Sequence, residues 1–261
     1  MKRCESSQKV SIVEAIHKHQ EHLQKHNLLS DFTGLNQVMG KGFEAGLFYL
    51  IYGSSLVTNS ILLSMAVAAQ LPTTKGGLDS SVVFIDNDNI FNPYTLIRLA
   101  LSVKLNSNSM LSRIFVARAF IWNHLGEIVD NLETLLKETK ARIVLISGLT
   151  TLFDGEFEKR KHQMLLKIAN KLRNIAIDNE TIVAASTKLA RGSSYKPTGG
   201  KIISHAPHVL IRVLQQGARI TFNLMKHPSR PAFQTVQWLS RAKRAPHTVP
   251  LDQFLKKPLE H

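Results

Sequence analysis

The chain is short of cysteine, of long apolar stretches and, over its last third, of carboxylates. Its single cysteine, Cys4, excludes an internal disulfide and a Cys-rich zinc site, and it fits a reducing, intracellular setting. The longest apolar runs, residues 47–52 and 61–69 (the second broken by Ser64), are too short to span a bilayer. No signal-peptide pattern opens the sequence, so no membrane partner is expected. From Lys188 onward there are thirteen Lys/Arg against two Asp/Glu, which places +11 of the formal +14 there and leaves +3 on the first 187 residues. Charge gathered in this way points to a polyanion such as nucleic acid; a solvated basic face is the plainer alternative.

Hydrophobic residues make up 44% of the 261 residues, too many for a disordered chain. Residues 1–30 read as a polar helical tail with a thin apolar stripe at Ile12, Val13, Ile16 and Leu23. His22 and His26 are four apart on it, a spacing open both to metal chelation and to ordinary surface polarity. A core over residues 31–240 follows. Runs of strand length at 47–52, 82–86, 114–117, 143–146 and 181–186 alternate with segments of helical period at 60–70, 93–101, 125–138 and 159–177. Continuous apolar strands between helices predict an α/β fold, with a mostly parallel sheet covered on both faces. After Lys188, runs at 209–214, 219–225 and 233–239 follow closely, the first two joined by Gln215-Gln216-Gly217. That is a hairpin signal and predicts antiparallel strands at one edge. Residues 241–258 form a basic tail, and Leu259-Glu260-His261 read as a purification-tag remnant.

Gly53-Ser54-Ser55-Leu56-Val57-Thr58-Asn59-Ser60 lies where a strand passes into a helix, the place of a phosphate-cradling loop. Gly53 and Ser60 fit such a loop. Thr58 stands at its second glycine and Asn59 at its lysine. Asparagine brings no charge to the β- and γ-phosphates, and β-branched Val57 and Thr58 resist the conformations that aim amides at phosphate.

Six segments in order resemble the RecA/RadA recombinase superfamily. They are Thr33-Gly34-Leu35 with Met39-Gly40-Lys41-Gly42-Phe43, Ala66-Val67-Ala68-Ala69-Gln70-Leu71-Pro72, Val82-Val83-Phe84-Ile85-Asp86-Asn87-Asp88-Asn89-Ile90-Phe91-Asn92-Pro93, Phe115-Val116-Ala117-Arg118-Ala119, Leu145-Ile146-Ser147-Gly148-Leu149-Thr150 and Pro197-Thr198-Gly199-Gly200-Lys201-Ile202-Ile203-Ser204-His205-Ala206. The resemblance implies a RecA-like ATPase core of the RadA type, and the departures then bear on function. Asn59 replaces the phosphate-binding lysine, and Ser147 replaces the aspartate that holds Mg²⁺. Asp88 stands for the water-activating glutamate, Lys188 for the glutamine that senses the γ-phosphate, and Lys226 for the aspartate that caps a neighbouring subunit's ATP. The expectation is a pseudo-ATPase with no required cofactor. Weak ATP/Mg binding through Ser60, Lys188 or Lys226 stays open, as does the view that Ser60, Asp88 and Ser147 are relics in a packed junction.

The family binds single-stranded DNA through two loops. The first corresponds to residues 154–162 with Lys159, Arg160 and Lys161, the second to residues 189–201 with Arg191, Tyr195, Lys196 and Lys201. A base can stack on Tyr195 while the cations meet phosphates. Arg241, Lys243 and Arg244 would extend the track. His205 matches a family histidine at the base of the second loop. The family's filament formers also carry an N-terminal DNA-binding domain and a Phe-x-x-Ala hook that adds a strand to the neighbour's sheet. Residues 1–30 are short for that domain and hold no phenylalanine. The resemblance therefore implies a non-catalytic paralogue in recombination and repair that binds single-stranded DNA and acts on a RadA-type recombinase or another paralogue. A protein-interaction subunit without DNA binding, and a residual weak ATPase, remain as alternatives.

Overall fold

The apolar runs form strands because their side chains are buried on both faces of one sheet. The computed structural model describes residues 27–155 and 158–239. In chain order the elements are α1 (Thr33–Met39), β1 (Phe48–Gly53), α2 (Ser55–Ala68), β2 (Ser81–Asp86), α3 (Pro93–Ser102), α4 (Ser107–Ser112), β3 (Ile114–Ala117), α5 (Trp122–Asp130), α6 (Leu132–Thr139), β4 (Ala141–Ser147), α7 (Lys159–Asp178), β5 (Ile182–Thr187), α8 (Gly200–His205), β6 (Val209–Gln216), β7 (Arg219–Lys226) and β8 (Phe233–Trp238).

The eight strands lie in the order β3-β2-β4-β5-β1-β6-β7-β8. Pairing is parallel from β3 to β6 and antiparallel for β6–β7 and β7–β8. This is the doubly covered parallel sheet with an antiparallel C-terminal edge that the alternation of runs implies. Odd positions of β1, Tyr49 and Ile51, enter the core cluster beneath α1–α4. Even positions, Phe48, Leu50 and Tyr52, enter the one beneath α5–α8. Each such side chain contributes about 1.5–3 kcal/mol relative to exposure.

Local chemistry sets the helix ends. Asn92 accepts from the amides of Tyr94 and Thr95 and is followed by Pro93 in the first turn of α3, a capping pattern that fixes the start. The single helix expected over 125–138 is two helices meeting at Asn131. Asn131 Nδ2 donates to Glu127 O at 3.1 Å, the local side-chain bond with which asparagine competes against helix continuation. The helix expected from Ser60 starts at Ser55. The core also reaches into the stretch read as an N-terminal tail, for Leu28 is wholly buried and bridges Phe43. His22, His26 and the 241–258 tail lie outside the described residues, as does residue 240. No helix among the described residues is long and apolar enough to cross a membrane.

His208 closes the N-terminal edge of the sheet. Its amide donates to Phe48 O at 2.8 Å, and its Nδ1 accepts from Phe48 N at 2.9 Å. An acceptor nitrogen must be unprotonated. Burial, with Arg173 and Lys226 nearby, holds the ring's pKa below its ordinary 6.5. A depressed histidine pKa contributes stability that is complete above about pH 6.5 and is lost as pH falls through the folded value. Urea unfolding measured between about pH 5 and 8 should therefore show a midpoint that rises with pH, and His208→Ala should flatten that rise.

Candidate nucleotide edge and nucleic-acid interface

Four adjacent strands, β2, β4, β5 and β1, deliver Asp88, Ser147, Lys188 and Gly53 to one C-terminal edge of the sheet. This is where ligands bind in open α/β sheets. At Gly53 the chain passes so close to β6 that an added Cβ would lie 1.9 Å from Val213 O, with φ at +132°. Only glycine fits there. The expected eight-residue turn shrinks to Gly53-Ser54, because α2 begins at Ser55. With no glycine or proline among residues 54–60, no helix breaker interrupts that stretch. The amides of Val57 and Thr58 donate to Ser54 O at 3.1 and 2.9 Å, so they are consumed within the helix and do not face outward.

The side chains follow the backbone. Thr58 is buried and its hydroxyl donates to Ser55 O. Ser60 Oγ donates to Leu56 O at 2.9 Å. Ser60 also lines a cavity of about 250 Å³ between α2 and α3, with Asp31, Thr95 and Arg98. Asn59 Oδ1 is buried without a partner. At the neighbouring strand ends the buried Asp86 collects four donors. Oδ1 accepts from Ile90 N and Ser147 Oγ at 2.9 and 2.8 Å, and Oδ2 from Phe91 N and Arg118 Nη2 at 3.1 and 3.0 Å. Ser147 also accepts from Asp88 N at 3.1 Å. Thr151 Oγ1 donates to Asp88 Oδ1 at 2.7 Å. Lys188 is exposed just beyond β5. Two of the amides at the start of α2 are closed within the helix, and the Ser60 and Ser147 hydroxyls both donate to groups of the protein. No lysine stands in this turn to meet a phosphate.

Lys226 stands apart from this set. It ends β7, antiparallel to β6, and therefore lies at the N-terminal edge of the parallel strands. Its Nζ donates to His205 O and Pro207 O at 2.9 and 2.7 Å, away from the edge that holds Gly53, Asp88, Ser147 and Lys188.

The two loops meet on the face that carries α7 and α8. Lys159, Arg160 and Lys161 open α7 after Glu158. Lys159 and Arg160 are exposed, whereas Lys161 Nζ is paired with Glu158 Oε1 at 2.9 Å. Asp154, Glu158 and Lys161 of the first loop and Thr198, Gly199 and Gly200 of the second line a shared cavity of about 310 Å³. Arg191, Tyr195, Lys196 and Lys201 are exposed. The second loop is a small folded hairpin. Leu189 bridges Pro197, Ala190 N donates to Lys196 O and Thr198 N to Lys188 O. Arg212 of β6 stacks on Tyr195, its guanidinium carbon 4.5 Å from the ring centroid, and Nη1 donates to Ser194 O. From Lys188 to Leu239 there are eight Lys/Arg and no Asp/Glu. Arg241, Lys243 and Arg244 lie outside the described residues.

Sequence reasoning missed Asp86, Arg118, Thr151 and Arg212. A cation among the apolar residues of a strand was the one available signal for Arg212. The other three are joined only by the fold. No cluster of three His, Cys, Asp or Glu able to hold a metal occurs among the described residues.

Ser147→Ala should remove a buried hydrogen bond to a charged group and cost about 1.5–3 kcal/mol, seen as a lower urea midpoint. An unchanged midpoint would mean that Asp86 is satisfied without it.

Comparison with known proteins agrees with this architecture. The family model described as Rad51 matches residues 24–241. The chain is 27% identical over 203 residues to the DNA repair protein RAD51 of Mycosarcoma maydis, covering 71% of this chain and 60% of that protein. It is 26% identical over 215 residues to the DNA repair and recombination protein RadA of Aeropyrum pernix, covering 77% of this chain and 67% of that protein.

Proposed function

The chain belongs to the Rad51 family, and from that premise we propose that it is a non-catalytic paralogue that binds single-stranded DNA and modulates an active RadA-type recombinase in recombination and repair. The observation that carries this reading is the start of α2 at Ser55. Phosphoryl transfer is catalysed almost wholly by positioned charge and oriented donors, and at this edge the backbone donors close a helical turn. Asn59 brings no ammonium group, and the Ser147 hydroxyl is engaged with Asp86. We propose no required cofactor, with ATP/Mg binding at most weak.

The DNA part of the proposal is supported by the cation-rich, carboxylate-free stretch from Lys188 to Leu239 and by exposed Tyr195 between Arg191 and Lys196. Electrostatics of this kind gives sequence-independent affinity, and an aromatic face gives a stacking platform. A basic triplet opening a helix works against the helix dipole, so Lys159 and Arg160 are better matched to a polyanion than to their own helix.

One observation favours a partner chain as well. β3 is an edge strand, with Phe115 and Val116 exposed. Such an edge accepts an added strand, which suits a recombinase segment pairing with it. The second reading, an interaction subunit without DNA binding, rests on this edge alone. We place the protein's action inside the cell, with the DNA.

Anisotropy titration of a labelled oligothymidylate at two salt concentrations, with and without Mg-ATP, tests the proposal. Salt-sensitive binding indifferent to Mg-ATP is expected, with no phosphate release above background. Lys196→Ala with Lys201→Ala should weaken binding and reduce the log–log salt slope by about 1.4, at about 0.7 per lost phosphate contact on a single strand. No binding at low salt would leave the interaction subunit as the better account, and steady phosphate release abolished by Asp88→Ala would establish an ATPase.

A further inference from the structure

We infer that Tyr52 and Arg212 are positioning residues that hold the second loop, with Lys226 fixing the end of the helix that follows it, in one shape without any nucleotide; as a statement about DNA affinity this rests on the binding proposal above. The segment from Lys188 to Pro207 is fastened at its base, its tip and its far end. At the base, the amide and hydroxyl of Thr198 both donate to Lys188 O, at 2.9 and 3.2 Å. At the tip, the phenol of Tyr52, buried at the end of β1, donates to Tyr195 O at 2.8 Å. Arg212, also in the sheet, donates to Ser194 O at 3.0 Å and lies beneath the Tyr195 ring. At the far end, Lys226 Nζ donates to His205 O and Pro207 O as α8 finishes, where a cation is favoured by the unpaired carbonyls of a helix C-terminus.

Tyr52, Arg212 and Lys226 are side chains of the sheet, Thr198 closes the loop on itself, and backbone carbonyls of the segment are the acceptors. A loop with these partners does not wait for a bound phosphate to order it. Its exposed groups, the outer face of Tyr195 with Arg191 and Lys196, are presented in advance, which lowers the ordering cost of binding. The apparent dissociation constant of a loop site scales inversely with the fraction of molecules in the competent shape. Removing one anchor therefore weakens binding without touching a group that contacts the strand.

The experiment is amide hydrogen exchange of the full chain with neither DNA nor nucleotide, read at Ala190 and Thr198, for the wild type, Tyr52→Phe and Arg212→Gln. Tyr52→Phe keeps the buried ring and deletes only the hydroxyl. Both amides should be protected in the wild type and unaffected by Mg-ATP. In each variant their exchange should rise about five- to tenfold, the loss expected for one net hydrogen bond, with a urea midpoint lowered by no more than that one bond accounts for. The oligothymidylate dissociation constant should rise by a similar factor. Arg212→Lys, which keeps the charge but not the planar stack, should recover only part of both losses. Unprotected amides in the wild type, protection that appears only with Mg-ATP, or unchanged exchange in Tyr52→Phe would overturn the inference. Protection lost in the variants while no protein binds oligonucleotide would uphold the anchors and sink the DNA proposal instead.

Discussion

The buried carboxylate of Asp86 is the interaction on which the C-terminal edge depends. A charge taken wholly out of water is tolerated only when it is paired and its lone pairs are filled. Here the donors come from three places in the chain, the turn after β2, the residue after β3 and the end of β4. Satisfying one oxyanion therefore fixes the relative heights of three strand ends. Ser147 is central to this because it donates to Asp86 and accepts from the Asp88 amide. A second carboxylate at Ser147 would face Asp86 across the same short gap. The serine is consistent with the edge being organised around its own internal charge.

Much of the sheet was legible in the sequence, because a parallel strand buried on both faces must be apolar at every position. Residues 48–52 and 82–85 announce themselves in this way. Helix ends were legible where a cap stood in the text, as Asn92-Pro93 does for α3. They were not legible at α2, because a glycine-led turn and a helix that swallows it share the same composition. Asn131 split a helix whose apolar period runs through it unbroken. α4 and α8 are too short for a period to register.

The site divided along similar lines. Residues delivered by strand ends, Gly53, Asp88, Ser147 and Lys188, came together as their order implied, since a parallel sheet brings the ends of its strands to one edge. Lys226 did not, because antiparallel pairing carries the end of β7 to the opposite edge. The contact of Arg212 with Tyr195 joins a strand to a loop whose fold depends on that contact, and no local pattern encodes it. The charge imbalance, by contrast, was visible from composition. The fold adds that the exposed loop cations and Tyr195 rise from one hairpin.

The contact between Gly53 and Val213 O limits how this edge can be altered. An ordinary active site can drift and return by exchanging one side chain for another. Here the chain leaves β1 pressed against β6 and enters α2 after a single intervening residue. A turn wide enough to wrap a phosphate would need the first turn of α2 unwound, because the residues that could form it are already helical. Replacing Asn59 with lysine would set an ammonium on the flank of a helix and leave that geometry as it is. A phosphate cradle at this edge is therefore separated from the present fold by the refolding of a helix start, a step that no exchange of one side chain for another accomplishes.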